Sequence, residues 1–202
     1  MRLFIGIALA EEAKNALLGV RERLGPCSSG ESELRWPSPE SWHVTLQFLG
    51  SASDEQAACV MEKLGTVRAA RVPLRLEDLG FFERAGVFWA GVALTPELLV
   101  LQQKVVAATR RCGFVPEERA YRPHITLARA KGRAGGRALA PLHKAVERAY
   151  PVRKVRADKD GAPGGWVGPE FEAGEFVLYE SFPGPEGSRY EVRGRWGLED
   201  RV

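Results

Sequence analysis

The sequence predicts an α+β protein built from one duplicated lobe. Segments with the hydrophobic periods of strands and of helices alternate along the chain. The order strand, helix, strand, helix runs over residues 3–65 and recurs over residues 87–150, and each run contains one copy of a four-residue motif. A repeat of this length is typical of a duplicated lobe and not of a solenoid. We therefore expect residues 1–202 to form a single two-lobed domain with a well-buried core.

The composition is that of a soluble globular protein. Hydrophobic residues make up 45% of the chain and charged residues 27%, both ordinary values. The net charge of +3 is too small for a protein that coats nucleic acid generally. The apolar start at residues 3–10 runs directly into Glu11 and Glu12 and is too short to span a membrane. We expect a strand there and no membrane association.

The cysteines are Cys27, Cys59 and Cys112. Their number is odd and no pair has the C-x-x-C spacing, so the sequence predicts neither a disulfide framework nor a zinc site. A reducing environment fits this pattern, and we expect a cytoplasmic location.

The first repeat begins with the strand at residues 3–10. Residues 11–24 carry apolar side chains at helical spacing, and the Gly-Pro pair that follows ends this helix. After a loop, the first copy of the motif lies on a strand over about residues 42–49. A helix over residues 53–65 follows, and the Ser-Asp-Glu-Gln sequence at its start has the form of a capping box.

Two strands, at residues 72–82 and 87–94, follow the first repeat and are joined by a short turn. The helix at residues 95–113 opens with a capping threonine and a proline in its first turn. The second copy of the motif lies on a strand that begins at residue 124. A helix over residues 141–150 completes the second repeat.

The last quarter of the chain combines a loop with two strands. Residues 151–165 are rich in glycine, proline and charge, and we expect a mobile insertion there. Residues 175–182 and 189–196 have the pattern of strands and are joined by a turn rich in proline and glycine.

The four-residue motif is His43-Val44-Thr45-Leu46 in the first repeat, the first tetrad, and His124-Ile125-Thr126-Leu127 in the second repeat, the second tetrad. The chain has three histidines and five threonines. Two His-x-Thr pairs are therefore a coincidence on the order of one in five hundred. Side chains alternate between the faces of a strand, so the histidine and threonine of each tetrad share one face.

A lone strand histidine is usually a half-buried structural residue. The duplication favours a catalytic interpretation instead. Two imidazoles that face one cleft can act as general base and general acid near neutral pH, as phosphodiester cleavage without a metal requires.

Several stretches of the chain resemble the two-histidine phosphoesterase superfamily, and within it most of all the bacterial and archaeal RNA 2′,3′-cyclic phosphodiesterases, historically called 2′-5′ RNA ligases. The resemblance covers nearly the whole chain in the same order. The stretches that carry it are Arg2-Leu3-Phe4-Ile5, the first tetrad with Gln47-Phe48-Leu49-Gly50, Arg122-Pro123 with the second tetrad and Ala128-Arg129, and Leu178-Tyr179-Glu180-Ser181.

The resemblance implies a two-lobed α+β fold in which antiparallel sheets flank a central cleft and helices pack on the outer faces. It also implies hydrolysis of a terminal RNA 2′,3′-cyclic phosphate to a 2′-phosphomonoester, with no metal and no cofactor. In this reaction His43 matches the proton donor and His124 the proton acceptor.

The substrate-binding residues implied beside the histidines are Thr45, Thr126 and Arg129. The threonine hydroxyls are suited to hold the non-bridging phosphate oxygens as negative charge builds. Arg129 is expected to contact the phosphate, but strict alternation along its strand places it behind the cleft. This role therefore requires the strand to bend or to end near residue 128.

Alternation also separates two residues next to the first tetrad. Gln47 is expected to share the histidine face and to be able to touch substrate, whereas Phe48 is expected to pack in the core. His143 has no threonine partner and is interpreted as a surface or packing residue. Trp36 is interpreted as a packing residue in preference to a surface on which a base stacks.

The expected partner is an RNA with a 2′,3′-cyclic phosphate end, such as a transfer-RNA fragment, and the default oligomeric state is a monomer. Residues 129–156 contain nine Lys or Arg and one acid. This basic stretch fits a guide for the RNA backbone and a solvated surface equally well. Two alternative functions remain: joining of RNA ends through a 2′-5′ linkage by the reverse reaction, and binding of RNA ends without catalysis.

Overall fold

The computed structural model describes residues 1–24, 33–132, 135–151, 164–184 and 187–200. Within these ranges the chain forms two antiparallel sheets and four α-helices. The predicted α+β class with antiparallel sheets is confirmed.

The first sheet has four strands, in the spatial order β3-β1-β8-β9. These strands are β1 (Arg2–Ala8), β3 (His43–Ser51), β8 (Glu175–Gly184) and β9 (Gly187–Gly197). The second sheet has five strands, in the order β2-β6-β5-β4-β7. These are β2 (Leu34–Arg35), β4 (Val72–Phe82), β5 (Val87–Val92), β6 (His124–Ala130) and β7 (Gly164–Ala173). Each tetrad therefore lies in a different sheet.

The four helices are α1 (Glu11–Arg23), α2 (Asp54–Leu64), α3 (Pro96–Arg110) and α4 (Ala140–Ala149). The capping box predicted at the start of α2 forms, because the Ser53 hydroxyl accepts from the Gln56 N–H and the Gln56 side chain accepts from the Ser53 N–H. Thr95 caps α3 in a similar way by accepting from the Leu98 N–H. None of the helices in the described ranges has the length and apolar character needed to cross a membrane.

One cluster of buried apolar side chains includes residues from both sheets and all four helices. α1 packs against β7 of the second sheet, and α3 packs against β3 of the first sheet as well as β4 of the second. α2 and α3 also pack against each other. Because the helices contact strands of both sheets, the two halves of the chain share one interior.

The mobile insertion expected at residues 151–165 is only partly testable, since residues 152–163 lie outside the described residues. The predicted end of this insertion at residue 165 is wrong, because β7 begins at Gly164 and pairs with β4. The sequence analysis did not predict this strand, because a segment rich in glycine and proline is typical of a loop. Pro169 is tolerated because β7 is the edge strand of its sheet, and at Gly168 a Cβ would come within 2.5 Å of the Trp166 ring.

The expectation of no disulfide is also wrong. Cys59 in α2 is bonded to Cys112, two residues after the end of α3. The two cysteines are 53 residues apart, and the bond between them depends on how α2 packs against α3. The spacing of the cysteines in the sequence therefore gives no signal for this bond. Because these two cysteines are paired, the cysteine pattern does not support the expected cytoplasmic location.

Loss of the Cys59–Cys112 bond is expected to lower the free energy of unfolding. A cross-link over 53 residues restricts the unfolded chain, which typically stabilises a protein by about 2–4 kcal/mol. Urea unfolding of the oxidised protein, the reduced protein and Cys59→Ser measures the difference. Reduction and substitution should give matching losses, and an unchanged midpoint after reduction would contradict the prediction.

Candidate active site

The two tetrads lie at edges of their sheets, and these edges meet. β3 is the edge strand of the first sheet. Among the described residues β2 pairs only with Arg129 and Ala130 of β6, so the part of β6 that carries the second tetrad has a sheet partner only on the β5 side. β3 and β6 contact each other. The structure therefore brings the two tetrads together.

Both tetrad strands contain a β-bulge at the last residue of the tetrad. In the pairing of β3 with β1, Leu46 is an extra residue between the paired residues Thr45 and Gln47. In the pairing of β6 with β5, Leu127 is extra in the same way, directly after Thr126. An extra residue reverses the alternation of side chains beyond it.

The bulge in β6 brings Arg129 to the histidine face. Leu127 and Ala128 are both buried, and Arg129 after them is exposed. Its Nη2 donates to the Thr126 hydroxyl at 3.5 Å. The bend that a phosphate contact of Arg129 requires is thus present in the strand.

The expected sides of Gln47 and Phe48 are wrong, because strict alternation ignores the bulge in β3. Gln47 is buried, and its Oε1 accepts a hydrogen bond from the Thr109 hydroxyl at 2.8 Å. Phe48 is 52% exposed and its ring lies 6.0 Å from that of Phe4 on the cleft face. A sequence signal for Phe48 exists, since it and Arg129 both stand five residues after a tetrad histidine.

The two imidazoles are anchored in the same way. Nδ1 of His43 lies 2.7 Å from the Ser41 carbonyl oxygen, and Nδ1 of His124 lies 2.8 Å from the Arg122 carbonyl oxygen. A carbonyl oxygen can only accept, so each Nδ1 carries the proton and donates it. Nε2 of each neutral ring is then left with its lone pair, which can take up a proton.

Aromatic side chains surround His43. Its ring centroid lies 4.6 Å from that of Phe4, 5.3 Å from that of Tyr190 and 6.1 Å from that of Tyr179. Gly6 on the neighbouring β1 also borders the ring, since a Cβ there would lie 3.5 Å from His43 Cδ2 and 2.9 Å from a backbone oxygen. The imidazole is therefore held in a mainly apolar setting.

The surroundings of His124 combine aromatic rings with a cation. The Phe82 ring lies edge-on at 5.0 Å and the Trp89 ring at 6.5 Å. The guanidinium of Arg122 lies over Trp89 at 4.8 Å and over Phe82 at 5.8 Å. Gly80 makes room for Trp89, because a Cβ at Gly80 would come within 2.1 Å of the indole.

Both histidines favour the neutral form in the unliganded protein. Burial lowers the pKa of His43 from 6.5 to about 4, with the charges of His124 and Arg129 acting in the same direction and the Ser41 hydrogen bond opposing them. Burial also lowers the pKa of His124, and the charges of Arg129 and Arg122 add to the effect. An imidazolium in either position would lack water and face cations.

The hydroxyls of Thr45 and Thr126 lie on half-exposed residues of the same faces as the imidazoles. The arrangement offers two proton-transfer nitrogens, two hydroxyls and one guanidinium to a ligand in the cleft. In the described part of the chain, no group of three or more His, Cys, Asp or Glu side chains is placed to hold a metal ion. The chemistry that the side chains themselves support is acid–base chemistry on an anion.

Two other candidates lie elsewhere. His143 in α4 stacks on Phe81 and its Nε2 lies 2.5 Å from a Glu83 carboxylate oxygen, which is a packing role. Trp36 packs against the core, with its ring edge-on to Phe88. The basic stretch at residues 129–156 extends into positions outside the described residues.

Comparison with known proteins gives a family. Residues 7–89 match the model of the LigT-like phosphoesterases, a range that contains the first tetrad but not the second. The RNA 2′,3′-cyclic phosphodiesterase of Aeropyrum pernix is 38% identical over 46% of this chain and 55% of that protein. The match thus spans about half the length of this relative.

A longer match is found with the RNA 2′,3′-cyclic phosphodiesterase of Thermotoga maritima, which is 33% identical over 65% of this chain and 71% of that protein. The chain belongs to the LigT-like phosphoesterase family. The fold of the chain is also that of E. coli LigT in complex with 3′-AMP, with a TM-score of 0.71, 27% identity and coverage of 98% of this chain and 97% of that one.

Removal of the Arg129 guanidinium is expected to raise the pKa of both His43 and His124. The cation lowers both values, so its loss favours the imidazolium forms. NMR titration of the imidazole protons in Arg129→Met measures both shifts. Arg148→Met, an exposed arginine on α4, is the control and should leave both titrations unchanged. Equal titrations in Arg129→Met and the parent would contradict the placement of Arg129 in the cleft.

Proposed function

We propose that the protein hydrolyses the 2′,3′-cyclic phosphate at an RNA end to a 2′-phosphomonoester. The observation that carries the proposal is the pair of imidazoles on adjoining strands, each with Nδ1 bound to a carbonyl and Nε2 free. Membership of the LigT-like family and the names of the relatives support the same reaction.

In the proposed mechanism the two histidines divide the proton transfers. Nε2 of neutral His124 takes a proton from a water molecule as its oxygen attacks phosphorus. The bond from phosphorus to the 3′ oxygen breaks, and Nε2–H of protonated His43 gives its proton to that oxygen. The products are a 2′-phosphate and a free 3′ hydroxyl. Each proton transfer contributes roughly 10²- to 10⁴-fold to the rate.

The substrate supplies the charge that the mechanism needs. Both imidazoles favour the neutral form in the free protein, yet a general acid must carry a proton. A phosphodiester anion between the two rings stabilises an imidazolium, so binding of substrate raises the histidine pKa values. Protonation of the acid is then coupled to occupation of the site.

The anion itself is held by Thr45, Thr126 and Arg129. The two hydroxyls and the guanidinium lie on the histidine faces of β3 and β6. Hydrogen bonds from these groups to the non-bridging oxygens strengthen as charge develops on them, which stabilises the transition state. Removal of any one of them should slow the reaction more than it weakens binding.

In this proposal the nucleobase of the substrate stacks on Phe48. This ring is 52% exposed and lies on the cleft face near His43. Stacking on an aromatic ring stabilises a bound base by about 1–3 kcal/mol with little preference among bases. The aromatic side of the cleft thus takes the base and the arginine side takes the phosphate.

The third histidine of the chain allows a matched test of catalysis. We expect His43→Ala and His124→Ala each to lower kcat on a cyclic-phosphate oligonucleotide by about 10²- to 10⁴-fold, since each removes a proton-transfer group. His143→Ala should keep the parent kcat, because that ring is bound to Glu83 outside the site. All assays contain excess EDTA, because the proposed mechanism uses no metal.

Near-normal turnover by either tetrad variant would contradict the mechanism, and loss of the parent activity in EDTA with recovery on adding a divalent ion would contradict metal independence. Product analysis separates the alternatives. Hydrolysis yields a 2′-phosphate, ligation yields a longer RNA, and end binding without catalysis yields neither.

The pH profiles are expected to be bell-shaped, since one imidazole must be neutral and the other protonated. Profiles of kcat/KM report the free protein, where burial keeps the histidine pKa values below 6.5, and profiles of kcat report the substrate complex. Because the bound anion raises these values, the kcat profile should lie at higher pH than the kcat/KM profile.

The residual activities of the single variants assign the roles. Loss of the base removes the acidic limb, because activity no longer waits for that ring to lose a proton, and loss of the acid removes the basic limb. We expect His124→Ala to do the first and His43→Ala the second. The opposite result would exchange the roles of the two histidines, and a parent profile flat from about pH 5 to 8 would contradict histidine acid–base catalysis.

A further inference from the structure

A tyrosine three residues before the second tetrad donates a hydrogen bond to the first tetrad. The hydroxyl of Tyr121 donates to the backbone carbonyl of Thr45 at 2.9 Å, across 76 residues of sequence. Burial raises the pKa of Tyr121, so the hydroxyl keeps its proton and remains a donor at all physiological pH values. This hydrogen bond connects β3 to the segment that precedes β6.

The edge position of β3 explains why this bond matters. An edge strand leaves backbone groups on its outer side without a partner in the sheet. Tyr121 provides such a partner for Thr45, which directly precedes the bulge residue Leu46. The position of the Thr45 backbone is therefore tied directly to the segment that leads into His124.

A second bond acts on the same strand. The Thr109 hydroxyl at the end of α3 donates to Gln47 Oε1 at 2.8 Å, and both residues are buried. Gln47 lies just beyond the bulge of β3, so the first tetrad is tied to the other half of the chain at two points. These points lie on either side of the extra residue Leu46.

We propose that Tyr121 is a positioning residue that fixes the separation of the two catalytic imidazoles by holding the Thr45 backbone against the segment that carries His124. This inference rests on the proposed function, since it concerns two histidines that act on one phosphorus. A displacement of about 1 Å between catalytic groups costs as much as 10²-fold in rate. This role belongs to the Tyr121 hydroxyl, which makes the hydrogen bond. Phenylalanine would fill the same space as the tyrosine ring, so Tyr121→Phe removes only the hydroxyl.

The test is Tyr121→Phe, with Tyr150→Phe as the control. Tyr150 follows α4 and its ring packs beside Arg23, away from both tetrads. On a 2′,3′-cyclic mononucleotide at 25 °C we expect Tyr121→Phe to lower kcat by roughly 10- to 100-fold with little change in KM. Loss of one hydrogen bond should lower the melting temperature by only a few degrees. The control should keep the parent kcat.

A second measurement does not depend on turnover. The positive charge of Arg129 lowers the pKa of His43, and its effect weakens with distance. A wider separation in Tyr121→Phe should therefore raise the His43 pKa in an NMR titration, whereas a purely structural hydrogen bond would leave it unchanged. Thr109→Val, which removes the bond to Gln47, should shift His43 in the same direction.

The two proposals fail in different ways. If the parent protein does not hydrolyse the cyclic phosphate, the proposed function is wrong, and the His43 titration still decides the role of Tyr121. If the parent is active and Tyr121→Phe retains the parent kcat, or if the His43 pKa in this variant equals that of the parent, the positioning role is overturned.

Discussion

The contact between strands β3 and β6 is the constraint on which the site depends. Each strand is an edge of its own sheet over the tetrad, and the two edges meet with no ladder of backbone hydrogen bonds between them. Side chains therefore determine how closely the tetrads approach, and the described contacts that do so include Tyr121 with Thr45 and Thr109 with Gln47. A shared core of both sheets holds the strands from behind. We therefore expect small changes at this junction to move the two imidazoles relative to each other.

In the proposed mechanism, the electrostatics of the cleft couple protonation of the general acid to substrate binding. Burial and the nearby arginine keep both histidines neutral in the free protein, and a neutral pair has a base but no acid. An anionic phosphate removes this restriction because it favours one imidazolium. The free-protein values alone do not identify the acid, since His43 has the pKa lowered to about 4 and yet is the proposed donor. In the proposed mechanism the negative charge of the bound phosphate stabilises the His43 imidazolium, so the ring takes up a proton when the substrate binds.

The sequence predicted the elements with local signals and missed those that depend on tertiary contacts. Ser53 and Thr95 cap α2 and α3 as their sequences indicate, because a cap involves residues three positions apart. The predicted faces of Gln47 and Phe48 are wrong, because a bulge depends on pairing with the neighbouring strand and cannot be read from the alternation within one strand. Likewise the Cys59–Cys112 bond requires α2 to pack on α3, and β7 requires β4 as a template. None of these partners is near in sequence.

Equivalent positions in the two tetrad strands carry different side chains. The bulges at Leu46 and Leu127 return the fifth residue after each histidine to the cleft face. In the first half that residue is Phe48, beside an aromatic group around His43. In the second half it is Arg129, beside the Thr126 hydroxyl. The bulge is common to both strands, but the side chain that it brings to the cleft face differs. In the proposed function these two equivalent positions therefore bind the base and the phosphate.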